Sequence, residues 1–403
     1  MKKQVTTLLA ALVLTAGLTS CTIDINDGVQ GGQPTSTTTA SVLEGSGKLS
    51  GTISQNILVK KGTYELDGIV KITGGATLTI EPGARFIAST NKSSSLVILQ
   101  DGRINASGTS DEPIVFTTNS KTPGDWGGIT LYGNAPIKAL NGNSQALSED
   151  GNAVYYGGND ANSNSGVLRY VRVEYAGKKI NDGTSETNTF TFYSVGAQTV
   201  LENLVAYKGT DDGFEWFGGT ASGRNLVAYG NYDDSFDWQD AWSGQNNSNW
   251  FAYQTVKGNF GMEIEASSNI DNVAPRVQNI TLIRAAGTEP ETPNSPEISA
   301  IQFKKQGSGI FSNVYISGYN NIGTQQAYAV LIQDATTETN QVNTNKIKVE
   351  PMTYLAGSNA GIWGYAYSPN GGKTFTNSAT VTKVQLTPGN WANVDGVNLL
   401  SSL

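Results

Sequence analysis

The 403-residue chain contains no histidine. That absence excludes Ser-His and Cys-His nucleophile systems, a histidine general base and His-ligated zinc or iron. Cysteine occurs once, at Cys21, so no intramolecular disulfide can form. Beyond the first twenty residues no run is long and apolar enough to span a bilayer as a helix. Long helical periodicity is missing, as is a phosphate-cradling Gly-rich loop leading into a helix. Charged residues are sparse at 15 %, and the formal net charge is −8. An acidic balance disfavours nucleic acid and anionic lipid as partners, and is compatible with cations or neutral glycans.

What is present begins with an address. Lys2 and Lys3 form a short basic region, and Leu8 to Leu18 is an apolar stretch too short for a membrane span. Leu18-Thr19-Ser20-Cys21 follows and resembles the lipobox of bacterial lipoproteins. The resemblance implies that residues 1–20 are a signal peptide cleaved before Cys21. The Cys21 thiol would carry a diacylglycerol, and its new amine a fatty acid such as palmitate. Several acyl chains hold a protein on a membrane without a spanning helix. Thr22 stands where retention in the inner membrane favours Asp, so the expected location is the outer membrane, facing the cell surface. Loss of the leader removes two lysines and no acid. Residues 21–47 read as a flexible tether, because the Gly-, Gln-, Thr- and Ser-rich stretch from Gly28 to Ser41 buries too little to offset ordering entropy.

Short apolar runs separated by turn residues fill the next three hundred positions. Ile69-Val-Lys-Ile72, Gly74-Gly75, Thr77-Leu-Thr-Ile80, Glu81-Pro82-Gly83 and Ala84-Arg-Phe-Ile87 are typical. Two stretches then repeat 22 residues apart. Asn203-Leu-Val-Ala-Tyr207 recurs as Asn225-Leu-Val-Ala-Tyr229, and Asp211-Asp-Gly-Phe-Glu-Trp216 as Asp233-Asp-Ser-Phe-Asp-Trp238. A fixed period of this length marks a solenoid. The segments ATLTIEPGARFIAS (76–89), DEPIVFTT (111–118), GDWGGITLYG (124–133) and TDDGFEWFGGT (210–220) are similar to those of bacterial cell-surface lipoproteins with a pectate-lyase-like β-helix. That resemblance implies an all-β, right-handed parallel β-helix over residues 48–340, with 341–403 closing it. It implies little about activity, since many of that group have no assigned function.

Asn203, Asn225, Asn279 and Asn313 each precede an apolar strand, which suits an asparagine ladder at one turn of successive coils. Alternation sends Phe214, Trp216, Phe236 and Trp238 inward and Glu215 and Asp237 outward to solvent. The outward column is expected to continue through Glu263 and Gln302. Strands stack about 4.8 Å apart, so Glu215 neighbours Asp237, Asp211 neighbours Asp233, and Asp212 neighbours Asp234.

Three readings of these carboxylates stand open. They cap turns. They bind Ca²⁺ through Asp211, Asp212, Asp233 and Asp234. Or a pair acts on a sugar, as neighbours near 5 Å suit a retaining glycosidase. Asp-Asp turns on a β-helix resemble those of polygalacturonases, whose sites also use a histidine that is missing here. A lyase would need Ca²⁺ with an Arg or Lys base. Arg224, Lys208 and Lys257 lie near in sequence, yet no motif selects one. Asp240 and Trp242 add a possible sugar contact on a loop, the indole as a stacking face, with burial over a rung as the alternative. Long insertions at Ala139 to Ser165 and Pro290 to Pro296 read as loops projecting beside this region. Lys346 to Glu350 and Val381 to Gln385 read as strands covering the last rung. The expected function is binding of an extracellular ligand such as a glycan, without catalysis. The alternatives are a polysaccharide lyase or glycoside hydrolase on acidic polysaccharide, and a structural or adhesive surface protein.

Overall fold

The computed structural model describes residues 40–180, 185–270, 273–355, 357, 361–369, 372–373, 375–378 and 380–403. The leader, Cys21 and the expected tether as far as residue 39 lie outside them. Among the described residues twenty-three strands join in one continuous ladder, with every pairing in it parallel. The chain winds as a right-handed β-helix, and the 22-residue repeat is one coil of it. Val200–Tyr207 pairs with Ser222–Tyr229, setting Leu204 against Leu226. Phe214–Phe217 pairs with Phe236–Gln239, setting Phe214 against Phe236. Asn247–Gln254 and Met262–Ile264 make the next coil.

From Gly166 to Ile332 each coil has a long strand bent in its middle and a short strand, whereas the coil before it is three short strands, Arg103–Ser107, Ile114–Thr117 and Ile129–Tyr132. The bend is made by one left-handed residue, with φ of 55° at Asn203, 55° at Asn225, 60° at Asn249, 59° at Asn279 and 56° at Asn313. Asn tolerates this conformation because its short amide bonds locally. From Asn225 onward each Nδ2 donates to the Oδ1 of the Asn one coil earlier, at 2.8, 2.8, 2.9 and 3.0 Å. The ladder therefore has Asn249 as a fifth member between Asn225 and Asn279.

The inward residues form one apolar column. Phe86 stacks on Phe116 at 4.5 Å, Phe190 on Phe214 at 5.0 Å and Trp216 on Trp250 at 5.2 Å. Burial of such rings, at about 25 cal/mol per Å² of apolar surface, is the main stabilising contribution.

Both ends differ from the sequence expectation. Strand Ser41–Ile53 starts inside the segment read as tether, because its backbone pairs in register with Ile57–Ile72 and buries Leu43. Coiling also runs past residue 340: Met352–Leu355 pairs with Gly309–Ser317, and Gly361–Tyr365 with Tyr328–Ile332. Ile347–Val349 is a strand of this coil. Val381 to Gln385 forms no strand, and only its first residue meets the last coil, the Val381 N–H donating to Thr353 Oγ1 at 3.1 Å. The segment 380–403 instead runs back along the outside of the helix. The Val384 N–H donates to Thr281 Oγ1 at 2.8 Å, Arg172 donates to the Asn390 carbonyl at 2.8 Å, and Lys121 pairs with Asp395 at 2.6 Å. The cause is an outward apolar stripe, Val205, Val227 and Phe251, which this strap covers with Val384, Trp391 and Leu399.

The insertion from Ala139 to Ser165 does not project either. Its hairpin, Ala146–Leu147 with Tyr155–Tyr156, lies against the short-strand sheet. The outward rings Tyr132, Tyr193 and Phe217 stack at 4.9 and 4.3 Å, and Tyr156 packs on Tyr193 at 4.7 Å. Leaving that aromatic column in water would cost more than folding the loop onto it.

Candidate functional site: an acidic column under cover

The short strands carry the acidic column in the expected order. Thr130, Thr191, Glu215, Asp237, Glu263 and Gln302 stand in register, one per coil. All point away from the core, yet they are not open to solvent. Glu215 is only 5 % exposed, Asp212, Asp234 and Asp240 are also buried, and Asp237 is half-buried. The expectation of a solvent-facing column is corrected by the folded insertion and the turns packed beside it.

The Asp-Asp turns form a second ladder. The Asp234 N–H donates to Asp212 Oδ1 at 2.8 Å, and the Phe260 N–H to Asp234 Oδ1 at 2.6 Å. The Asp212 N–H is itself met by Asn188 Oδ1 at 3.3 Å. One oxygen of each of these two carboxylates thus caps the backbone of the next coil, and the other remains available. Asn259 donates to Asp233, Asn188 donates to Glu215, and Gln239 Nε2 donates to Glu215 Oε1 at 3.1 Å. Asp237 Oδ1 is sealed from solvent and has no hydrogen-bond partner. Lys304 pairs with Glu263 and lies 3.5 Å from Glu265, to which Lys305 also pairs at 2.7 Å.

Three overlapping carboxylate triads result: Asp211, Asp212 and Asp233; Asp212, Glu215 and Asp237; Asp234, Asp237 and Glu263. Within each, one oxygen per residue lies within 4.8 Å of the others. Burial pushes Asp212, Glu215, Asp234 and Asp237 well above the usual carboxylate range, and the nearest acids add to it: Asp211, Glu149, Asp233 and Glu263 respectively. Burial and then Glu263 push Asp233 up to about 7. Glu263 is raised by burial, although Lys304 opposes the shift. Burial works against the charge of Lys304, but Glu263 and Asp237 outweigh it and raise the ammonium above its ordinary value.

Asp240 and Trp242 have other roles. Asp240 accepts from Tyr156 Oη at 2.5 Å and from Ser267, so it fastens the insertion to the helix. Burial raises its pKa. Trp242 is 0 % exposed. It stacks on Trp216 at 5.0 Å, and its Nε1 donates to the Ala221 carbonyl at 2.9 Å. The expected sugar platform is therefore part of the core. Positive φ at Asp240 (53°) and Ala241 (59°) turns the chain inward and delivers the indole to the interior.

Lys304, Glu149 and Asn188 belong to this neighbourhood and were not selected from sequence. Lys304 had a signal: it follows Gln302 at the outward phase of its strand. Glu149 had none, because an insertion has no period. Two grooves adjoin the column and share Ser268 and Lys305. One of about 440 Å³ is lined by Glu263, Gln302 and Lys304, and one of about 400 Å³ by Glu149, Asp240 and Glu265.

No curated protein and no solved structure matches the chain. A family model described as the pectate-lyase-like beta helix domain matches residues 51–390, which takes in most of the coils and the first part of the returning strap. The chain belongs to the pectate-lyase-like β-helix family.

Proposed function

We propose that this protein is an outer-membrane lipoprotein, anchored through Cys21, whose acidic column holds Ca²⁺ and whose adjoining grooves bind an extracellular ligand such as a glycan without catalysis. The observation that carries the reading is Asp237. Its carboxylate belongs to two triads, and one of its oxygens is sealed away with nothing to bond.

The residues fit the ion. Every donor is an oxygen, which selects a hard cation. Ca²⁺ takes oxygens at about 2.3–2.6 Å, so two of its ligands lie at most about 5 Å apart. Oxygens within 4.8 Å of one another meet that limit. Asp237 would hold it either with Asp212 and Glu215 or with Asp234 and Glu263, and Asp211, Asp212 and Asp233 form a third such set at the turn. The ion would supply charge that lets several buried carboxylates ionise together.

Binding is favoured over a lyase by Lys304, the amine that pairs with Glu263 in this column. Glu263 and Asp237 keep it protonated, so it is a poor general base. The test is a glycan array with the soluble domain, with and without chelator. Saturable binding to at least one polysaccharide, weakened tenfold or more by chelator, is expected. No binding on any glycan, or turnover of a bound polysaccharide, would overturn the reading.

A further inference from the structure

A different face of the helix carries a groove of about 510 Å³, larger than either groove beside the acidic column. It lies over the first halves of the long strands Val200–Tyr207 and Ser222–Tyr229, flanked by Arg169 of Gly166–Glu174 and by the turn residues Gln245 and Asn246. Its size falls within the range of small-ligand sites, roughly 300–1,000 Å³. Arg169, Glu202 and Arg224 stand in register as outward neighbours along it. Arg169 Nε pairs with Glu202 Oε2 at 2.9 Å, which satisfies that carboxylate. Arg224 is exposed, and among the described residues its guanidinium has no ion pair or hydrogen-bond partner.

The charge here is opposite to that of the molecule. Two guanidiniums face one carboxylate in a chain of net charge −8. A free guanidinium presents a planar fork of donors that matches a carboxylate or sulfate two bonds at a time. The rest of the lining suits a polyhydroxylated ring. Asn162 and Asn246 are exposed, and their side-chain amides make no hydrogen bond to the described residues. Each offers two donors and an acceptor. Ala161, Ala197 and Val200 supply a small apolar surface between them.

We propose that this groove is a second ligand site, distinct from the acidic column, that binds an anionic sugar residue, with Arg224 meeting its carboxylate or sulfate and Asn162 and Asn246 its hydroxyls. It requires no metal, so it stands whether or not the acidic column holds Ca²⁺.

The experiment is isothermal titration of the full soluble chain, in chelator, with three probes. These are a glucuronate-containing disaccharide, a sulfated disaccharide and a neutral disaccharide of the same linkage. One anionic probe is expected to bind and the neutral one to bind at least tenfold more weakly. Which anionic probe wins identifies the oxyanion. Arg224→Gln should reduce that affinity tenfold or more, and Asn246→Ala a few-fold, with melting temperatures unchanged because both side chains are exposed. Gln278→Ala, two coils along the same outward column, should leave binding intact. The proposal is overturned if neither anionic probe binds, if the neutral probe binds equally, or if Arg224→Gln retains full affinity.

Discussion

At the scale of the residue, Asp237 concentrates what is unusual in this protein. A half-buried carboxylate beside Glu263 and Asp233 is poorly tolerated in its charged form unless a cation accompanies it. The sign of the resulting pH dependence follows. A carboxyl group whose folded pKa is raised holds its proton better in the folded state than in the unfolded one. Without metal, this contribution to stability is therefore full below about pH 4, where the unfolded carboxyls are also protonated, and is lost as pH rises through the folded values, with Asp233 titrating at about 7. Denaturant unfolding in chelator is expected to show lower stability at pH 8 than at pH 5, by on the order of a few kcal/mol. Asp237→Asn should shrink the difference. Stability that increases from pH 5 to pH 8 would contradict it. Sequence alternation correctly put this side chain outside the core and next to Glu215 and Glu263. It could not show that the hairpin of Ala146–Leu147 and Tyr155–Tyr156, far earlier in the chain, folds nearby and removes water. For Trp242 the sequence left a sugar platform and burial over a rung both open, and two positive-φ residues, Asp240 and Ala241, decide for burial.

At the scale of the element, the bent strand and its asparagine are the unit that repeats. The repeated Asn-Leu-Val-Ala-Tyr string made the register from Asn203 to Asn225 readable directly. Asn249 escaped because its coil is 24 residues long and Trp250-Phe251 replaces Leu-Val after it. Its place in the ladder still has measurable weight. Asn249 donates to Asn225 and accepts from Asn279, and its φ of 60° disfavours any residue with a Cβ but no local hydrogen bond. Asn249→Ala is expected to destabilise by about 2–3 kcal/mol, from about 1–2 for the left-handed backbone and about 1 for the lost bonds. Asn249→Gly, free of the backbone penalty, should recover about half of that in the same unfolding measurement. Equal losses for both variants would show that the ladder, and not the bend, carries the energy.

At the scale of the whole molecule, the β-helix is a scaffold with two dressed faces. Parallel coils expose outward side chains along their full length, and long apolar stripes there must be covered. The insertion at 139–165 covers Tyr132, Tyr193 and Phe217, and the strap at 380–403 covers Val205, Val227 and Phe251. The coils were legible because each contacts only its neighbours, so their pattern is local in sequence. The two covers were not, because they join positions far apart: Lys121 meets Asp395, and Tyr156 meets Asp240. Covering one face with the hairpin leaves the acidic column in a low-dielectric cleft, where a divalent cation gains most.

Calorimetric titration of Ca²⁺ into chelator-stripped protein at pH 7.5 tests that claim most directly, with Asp237→Asn beside the wild type. Saturable binding, weakened at least tenfold in Asp237→Asn, is the expected result. No saturable heat together with a melting temperature that Ca²⁺ leaves unchanged, or wild-type affinity in Asp237→Asn, would contradict it.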